Sequence, residues 1–197
     1  AAKALGGPID ILVNNAAAAV YAPLREYPLK RRRMMFEINV NAPVDLAQAV
    51  IPAMVAAGEG WIINVSSGSA RQPDGPPFKT DGVALVFGVY GASKAALNRI
   101  TGAMAAELYG TGIRVNTIEP RAAVLSEGAD AVMGTMLAAE QIEPLEAMVE
   151  ATIALCCCPA EHTGRIEVSL DLLEREGIPV RTLDATGIYA DSGSSSG

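Results

Sequence analysis

At 197 residues the chain has material for one domain with a sizeable core; half of it is apolar and only 5% aromatic. A net charge of −7 argues against a nucleic-acid or anionic-membrane partner, and no apolar run reaches the length of a membrane span. The opening Ala1-Ala2-Lys3-Ala4-Leu5 is neither a signal peptide nor preceded by an initiator methionine, which suggests a fragment or processed product.

Ala1 to Leu5 reads as a helix end closed by Gly6-Gly7-Pro8. Ile9 to Val13 is a β-branched apolar run bounded by glycine and by Asn14-Asn15, hence a buried strand. After a loop, Pro28 to Ile38 suits a helix whose basic run, Lys30-Arg31-Arg32-Arg33, points around the helix and forms a solvated surface. Val44 to Ala57 has the spacing of a second helix, ended at Gly58. Trp61 to Val65 is a second strand, closed by Ser66-Ser67. The glycine- and proline-rich stretch 68–88 is long for a connection and suggests a flap over a site.

Ala95 to Tyr109 follows as a long helical run. Ile113 to Ile118 is a third strand, ending at Glu119-Pro120-Arg121. Residues 122–145 suggest a lid or short helices, with an apolar character up to Leu137, and 144–155 a helix with proline in its first turn. The three consecutive cysteines, Cys156 to Cys158, offer no disulfide framework and no metal spacing around the single His162; they read as small side chains ending a helix, in a reducing, cytoplasmic setting. Arg165 to Leu170 is a fourth strand, Asp171 to Glu176 a helical turn, and Gly177 to Asp184 a short extended segment. The domain is expected to span 1–184, with 185–197 a flexible Gly/Ser-rich tail.

Alternating apolar strands and helices predict an α/β fold with a Rossmann-like, doubly wound parallel sheet, in which ligands bind at the carboxyl ends of the strands. Asn14-Asn15, Ser66-Ser67 and Glu119-Pro120 all fall at such ends. Tyr90 and Lys94, four residues apart, share a helix face beside them. A phenol titrates near pH 10, and a neighbouring ammonium favours its ionised form, so this pair is a candidate acid/base unit.

Asp10-Ile11-Leu12-Val13-Asn14-Asn15-Ala16, Ile38-Asn39-Val40, Ile63-Asn64-Val65-Ser66-Ser67, Tyr90-Gly91-Ala92-Ser93-Lys94 and Ile113-Arg114-Val115-Asn116 occur in this order. With them the chain resembles the short-chain dehydrogenase/reductase family. The resemblance implies an NAD- or NADP-dependent oxidoreductase acting on a carbonyl or secondary alcohol, with a homodimer or homotetramer as the assembly. It implies Tyr90 as general acid/base and Lys94 as the group that holds the nicotinamide ribose and lowers the Tyr90 pKa. Ser67 would bind the substrate oxygen, with Ser66 as the alternative serine. Asn39 would hold a water in a proton relay, with a plain helix cap as its alternative. Asn15, Ala16 and Pro120, together with Tyr90 and Lys94, would line the cofactor, and Asn14 would tie its strand to the next.

The sequence also departs from the family. The N-terminal strand and its Thr-Gly-x-x-x-Gly-x-Gly turn, which seats the cofactor pyrophosphate, are not in it, so the expected sheet is partial and NAD(P) binding by this chain weak. An inactive fragment or non-catalytic subunit is therefore the alternative function. Ala17 and Arg121 replace usual glycines, and the Ser67–Tyr90 interval is longer than usual. Arg121 would meet an anionic substrate or point to solvent.

Overall fold

The computed structural model describes residues 7–78, 86–124 and 142–189. Four parallel strands form one sheet in the order β1 (Ile11–Asn14), β2 (Gly60–Val65), β3 (Ile113–Glu119), β4 (Ile166–Val168). In β2, Ile62 packs in one core and its neighbour Ile63 in another, which is why apolar residues follow one another in this strand instead of alternating with polar ones.

The first core joins β2 and β3 to α2 (Ala42–Ala57), through Ala47, Val50 and Met54, and to α3 (Gly88–Glu107), through Ala105. The second joins the opposite sheet face to α4 (Leu145–Cys156), through Ala147, Met148, Ala151 and Leu155, and to α5 (Ser169–Glu176), through Leu172 and Leu173. The sheet is thus wound on both faces, as the alternation of elements predicts. Gly112, at φ +83°, turns the chain from α3 into β3; a Cβ there would lie 1.9 Å from the Gly58 carbonyl oxygen.

The two helices expected at 28–38 and 44–57 are one. Helix α1 (Leu29–Phe36) runs through a π-helical segment, Glu37–Asn41, into α2. Pro43 is the reason: in an α-helix its ring would strike the Asn39 carbonyl four residues back, and the wider turn accommodates it. By length and composition this 29-residue helix is apolar enough to cross a membrane, although no single run is; its α2 part instead packs on the sheet.

The basic residues Lys30 to Arg33 are all exposed. Strand β4 is shorter than expected because Ser169 and Leu170 belong to α5. Chain order extends past the expected boundary at 184: Arg181 bridges Ile188, and the Tyr189 N–H donates to the Val180 carbonyl. The helix end at 1–5, the lid at 125–137, most of the tail and part of the proposed flap lie outside the described residues.

Candidate active site

Helix α3 begins at Gly88, nearly two turns before Lys94, and its start is pressed against the chain leaving β2. Gly91 makes this possible: a Cβ on it would lie 2.3 Å from the Ser69 carbonyl oxygen. Ser67 ends β2 in extended conformation and accepts hydrogen bonds from the Ser69 N–H at 3.2 Å and the Ser69 hydroxyl at 3.0 Å. Behind it, Arg71 pairs with Glu119, which is buried at the end of β3. Ser67, Tyr90 and Lys94 therefore meet at the carboxyl edge of the sheet.

Of the two serines, Ser67 is the one whose side chain lies close enough to Tyr90 to act on its phenol. Ser66 is buried beside β3, its N–H donating to the Ile118 carbonyl at 2.7 Å and its hydroxyl unpartnered among the described residues.

Lys94 is 2% exposed and donates to the Val65 carbonyl at 2.7 Å; its Nζ lies 5.9 Å from the Tyr90 ring centre. Burial pulls its pKa down to about 8. Tyr90 moves the other way: burial pushes the phenol up to about 12, the neighbouring Tyr21 phenol adds to the rise, and the Ser67 hydrogen bond opposes it. The expectation that Lys94 lowers the Tyr90 pKa is thus not met. Desolvation outweighs an ammonium that is itself committed to a carbonyl.

Asn39 stands one layer behind. Its Oδ1 accepts from the Ala18 N–H at 2.8 Å, and its Nδ2 donates to the Ala18 carbonyl at 2.9 Å and to the Ser93 hydroxyl at 3.0 Å. Ser93 in turn donates to the Tyr90 carbonyl at 2.7 Å. Its side chain is thus a buried staple between the loop after β1 and α3, not a helix cap.

Asn14 donates to Asn64 Oδ1 at 2.8 Å and so ties β1 to β2. Asn15 and Ala16 are exposed at the end of β1, and Pro120 is half-buried at the end of β3, along the same sheet edge. Arg121 pairs with Asp171 at 2.5 Å and Glu174 at 2.9 Å on α5, so its charge is already matched by two carboxylates.

Two functional neighbours escape sequence reasoning. Glu143, buried before α4, accepts from the backbone N–H groups of Arg121 and Ala122 at 2.8 and 3.2 Å and from the Ser169 hydroxyl at 2.6 Å, fixing the chain that leaves β3. Tyr21 lies against Tyr90, although it is a lone aromatic in an alanine-rich loop with no periodic signal. All three cysteines are free: Cys156 ends α4, Cys157 is exposed and Cys158 is buried.

Residues 1–131 match the family model described as short chain dehydrogenase. The chain belongs to this family. It is 37% identical over 124 residues to L-xylulose reductase of Mesocricetus auratus, covering 62% of this chain and 46% of that protein. It is 43% identical over 115 residues to sorbitol dehydrogenase of Cereibacter sphaeroides, covering 58% of this chain and 41% of that one. Among solved structures, gluconate 5-dehydrogenase of Burkholderia cenocepacia, in complex with NADP and tartrate, superposes with a TM-score of 0.70 at 26% identity, covering 84% of this chain and 65% of that one. The chain spans half or less of the length of the first curated relatives it matches, from 38% to 49%.

Proposed function

We propose that this chain carries the proton-transfer site of an NAD- or NADP-dependent oxidoreductase that reduces a carbonyl or oxidises a secondary alcohol of a small molecule. The observation that carries the proposal is the meeting of Ser67, Tyr90 and Lys94 at the carboxyl edge of the sheet, with Gly91 allowing the close approach. A phenol pushed up to about 12 is protonated at neutral pH, so Tyr90 acts as general acid. It donates its proton to the substrate oxygen while the Ser67 hydroxyl donates a hydrogen bond to the same atom and fixes it.

The donor set fits a nicotinamide ribose. Lys94 has three N–H donors, of which Val65 takes one among the described residues, leaving two for ribose hydroxyls. Exposed Asn15 and Ala16 and half-buried Pro120 would line the same cofactor. The hydride chemistry is that of NAD or NADP when bound. The family resemblance extends this to a soluble, cytoplasmic homodimer or homotetramer.

The test is Tyr90→Phe, assayed by oxidation of NADH and NADPH with a panel of ketones. The expected loss in kcat is on the order of 10²–10⁴-fold with the fold retained. Turnover equal to that of the unsubstituted chain would end the proposal.

A further inference from the structure

Tyr21 is placed with unusual care for a loop residue. Its ring stands edge-on to two residues of the α3 start, three apart in sequence: Phe87, at 5.1 Å between centres and 74° between planes, and Tyr90, at 5.9 Å and 85°. Both distances and both angles are those of favourable edge-to-face aromatic pairs.

The backbone leading to Tyr21 is held at two points. Asn39 grips both the N–H and the carbonyl of Ala18, at 2.8 and 2.9 Å. The buried Tyr27 donates its hydroxyl to the Val20 carbonyl at 2.9 Å, and Ala18, Val20 and Ala22 pack against the core of Tyr27, Met35 and Val89. Asn39 also reaches Ser93, whose hydroxyl holds the Tyr90 carbonyl. One buried amide therefore sets the register between the Tyr21 loop and the Tyr90 helix.

We propose that Tyr21 is a positioning residue for Tyr90: its ring, wedged between Phe87 and Tyr90 on an anchored loop, fixes the orientation of the Tyr90 phenol and closes one side of it to water. Its importance for catalysis rests on the reading of Tyr90 as the acid; the packing role does not. Among the described residues, the titratable groups beside Tyr90 are Tyr21 itself, from the loop after β1, and Lys94, one turn along α3; Ser67 is the polar neighbour from the β2 end.

The test needs no turnover, so its outcome is separate from that of Tyr90→Phe. The chain is prepared with 3-fluorotyrosine, whose more acidic phenol titrates at lower pH, and the Tyr90 fluorine resonance is assigned from its loss in Tyr90→Phe. In Tyr21→Leu the Tyr90 resonance is expected to shift and its titration midpoint to fall by about one pH unit, a tenfold gain in ionised phenol at a given pH, because water reaches it. Tyr21→Phe keeps the ring and is expected to leave the Tyr90 resonance in place, with a smaller fall in midpoint. If Tyr21→Leu does not fold by circular dichroism, Tyr21→Met, unbranched and adaptable, is judged by the same criterion. An unchanged Tyr90 resonance and midpoint in the folded Leu or Met variant would overturn the proposal. So would a Phe variant that behaves like Leu, since the ring would then not be what positions Tyr90.

Discussion

Gly91 allows the geometry of the site to be tested by adding a single methyl group. In Gly91→Ala the new Cβ would stand 2.3 Å from the Ser69 carbonyl oxygen and 3.2 Å from its carbon, whereas ordinary contact begins at 3.4 Å. The start of α3 and the Ser67–Ser69 turn must therefore part by about 1 Å, and both partners are backbone. Overpacking of this kind costs about 1–3 kcal/mol. Alanine also favours the helix by roughly 1 kcal/mol over glycine, which partly hides the clash. Gly102 supplies the control, since it lies in the same helix and an added Cβ would meet nothing within 4 Å.

Gly102→Ala should therefore raise stability by roughly 1 kcal/mol, while Gly91→Ala should fall below it by the clash alone, about 1–3 kcal/mol. Urea denaturation of the two variants side by side measures that difference as a shift in midpoint at constant slope. Because the parting separates Ser67 from Tyr90, turnover should drop about 10²-fold in Gly91→Ala and stay unchanged in Gly102→Ala. Equal stability of the two variants would refute the claim that Gly91 is required by close approach.

Lys94→Met tests the buried ammonium. A lysine whose folded pKa is lowered to about 8 binds fewer protons than in the unfolded chain from there to its ordinary 10.5, so stability should climb by roughly 3 kcal/mol over that window and the climb should vanish in the variant, as read by denaturation at stepped pH. Asn39→Ala removes three hydrogen bonds and strands the Ala18 N–H and carbonyl, so a loss on the order of 3 kcal/mol is expected by thermal unfolding; a change below about 0.5 kcal/mol would deny Asn39 its role as a staple.

The strands were legible because both faces of the sheet are covered, so Trp61 to Val65 and Ile113 to Ile118 place apolar residues on both faces and lack the strict polar–apolar alternation of a half-exposed strand. The meeting of Ser67, Tyr90 and Lys94 was legible for a related reason: polar pairs at strand ends mark one edge of any such sheet. What stayed hidden depends on contacts far apart in sequence. The helices expected at 28–38 and 44–57 read as two, because apolar spacing does not show a π segment joining them into one. Arg121 read as free until α5 brought Asp171 and Glu174 to it, 50 residues or more away. Glu143 had no neighbour in sequence to show that two backbone N–H groups and Ser169 would repay its burial.

The direction of the Tyr90 shift was the least legible feature, and it bears most on the proposed chemistry. From spacing alone, Tyr90 and Lys94 suggest a phenol held down by a cation. In the folded chain Lys94 donates to the Val65 carbonyl, 5.9 Å of separation remains between its Nζ and the Tyr90 ring centre, and desolvation decides the outcome. With the phenol at about 12, taking its proton away at pH 7 costs roughly 7 kcal/mol, so only about one molecule in 10⁵ holds a phenolate. That state is suited to giving a proton to a carbonyl oxygen and poorly suited to taking one from an alcohol. For Tyr90 to serve as a base, the Lys94 ammonium must leave Val65 and approach the phenol oxygen, or polar groups must replace the lost solvation there. A change from acid to base at Tyr90 would thus require a rearrangement within one turn of α3.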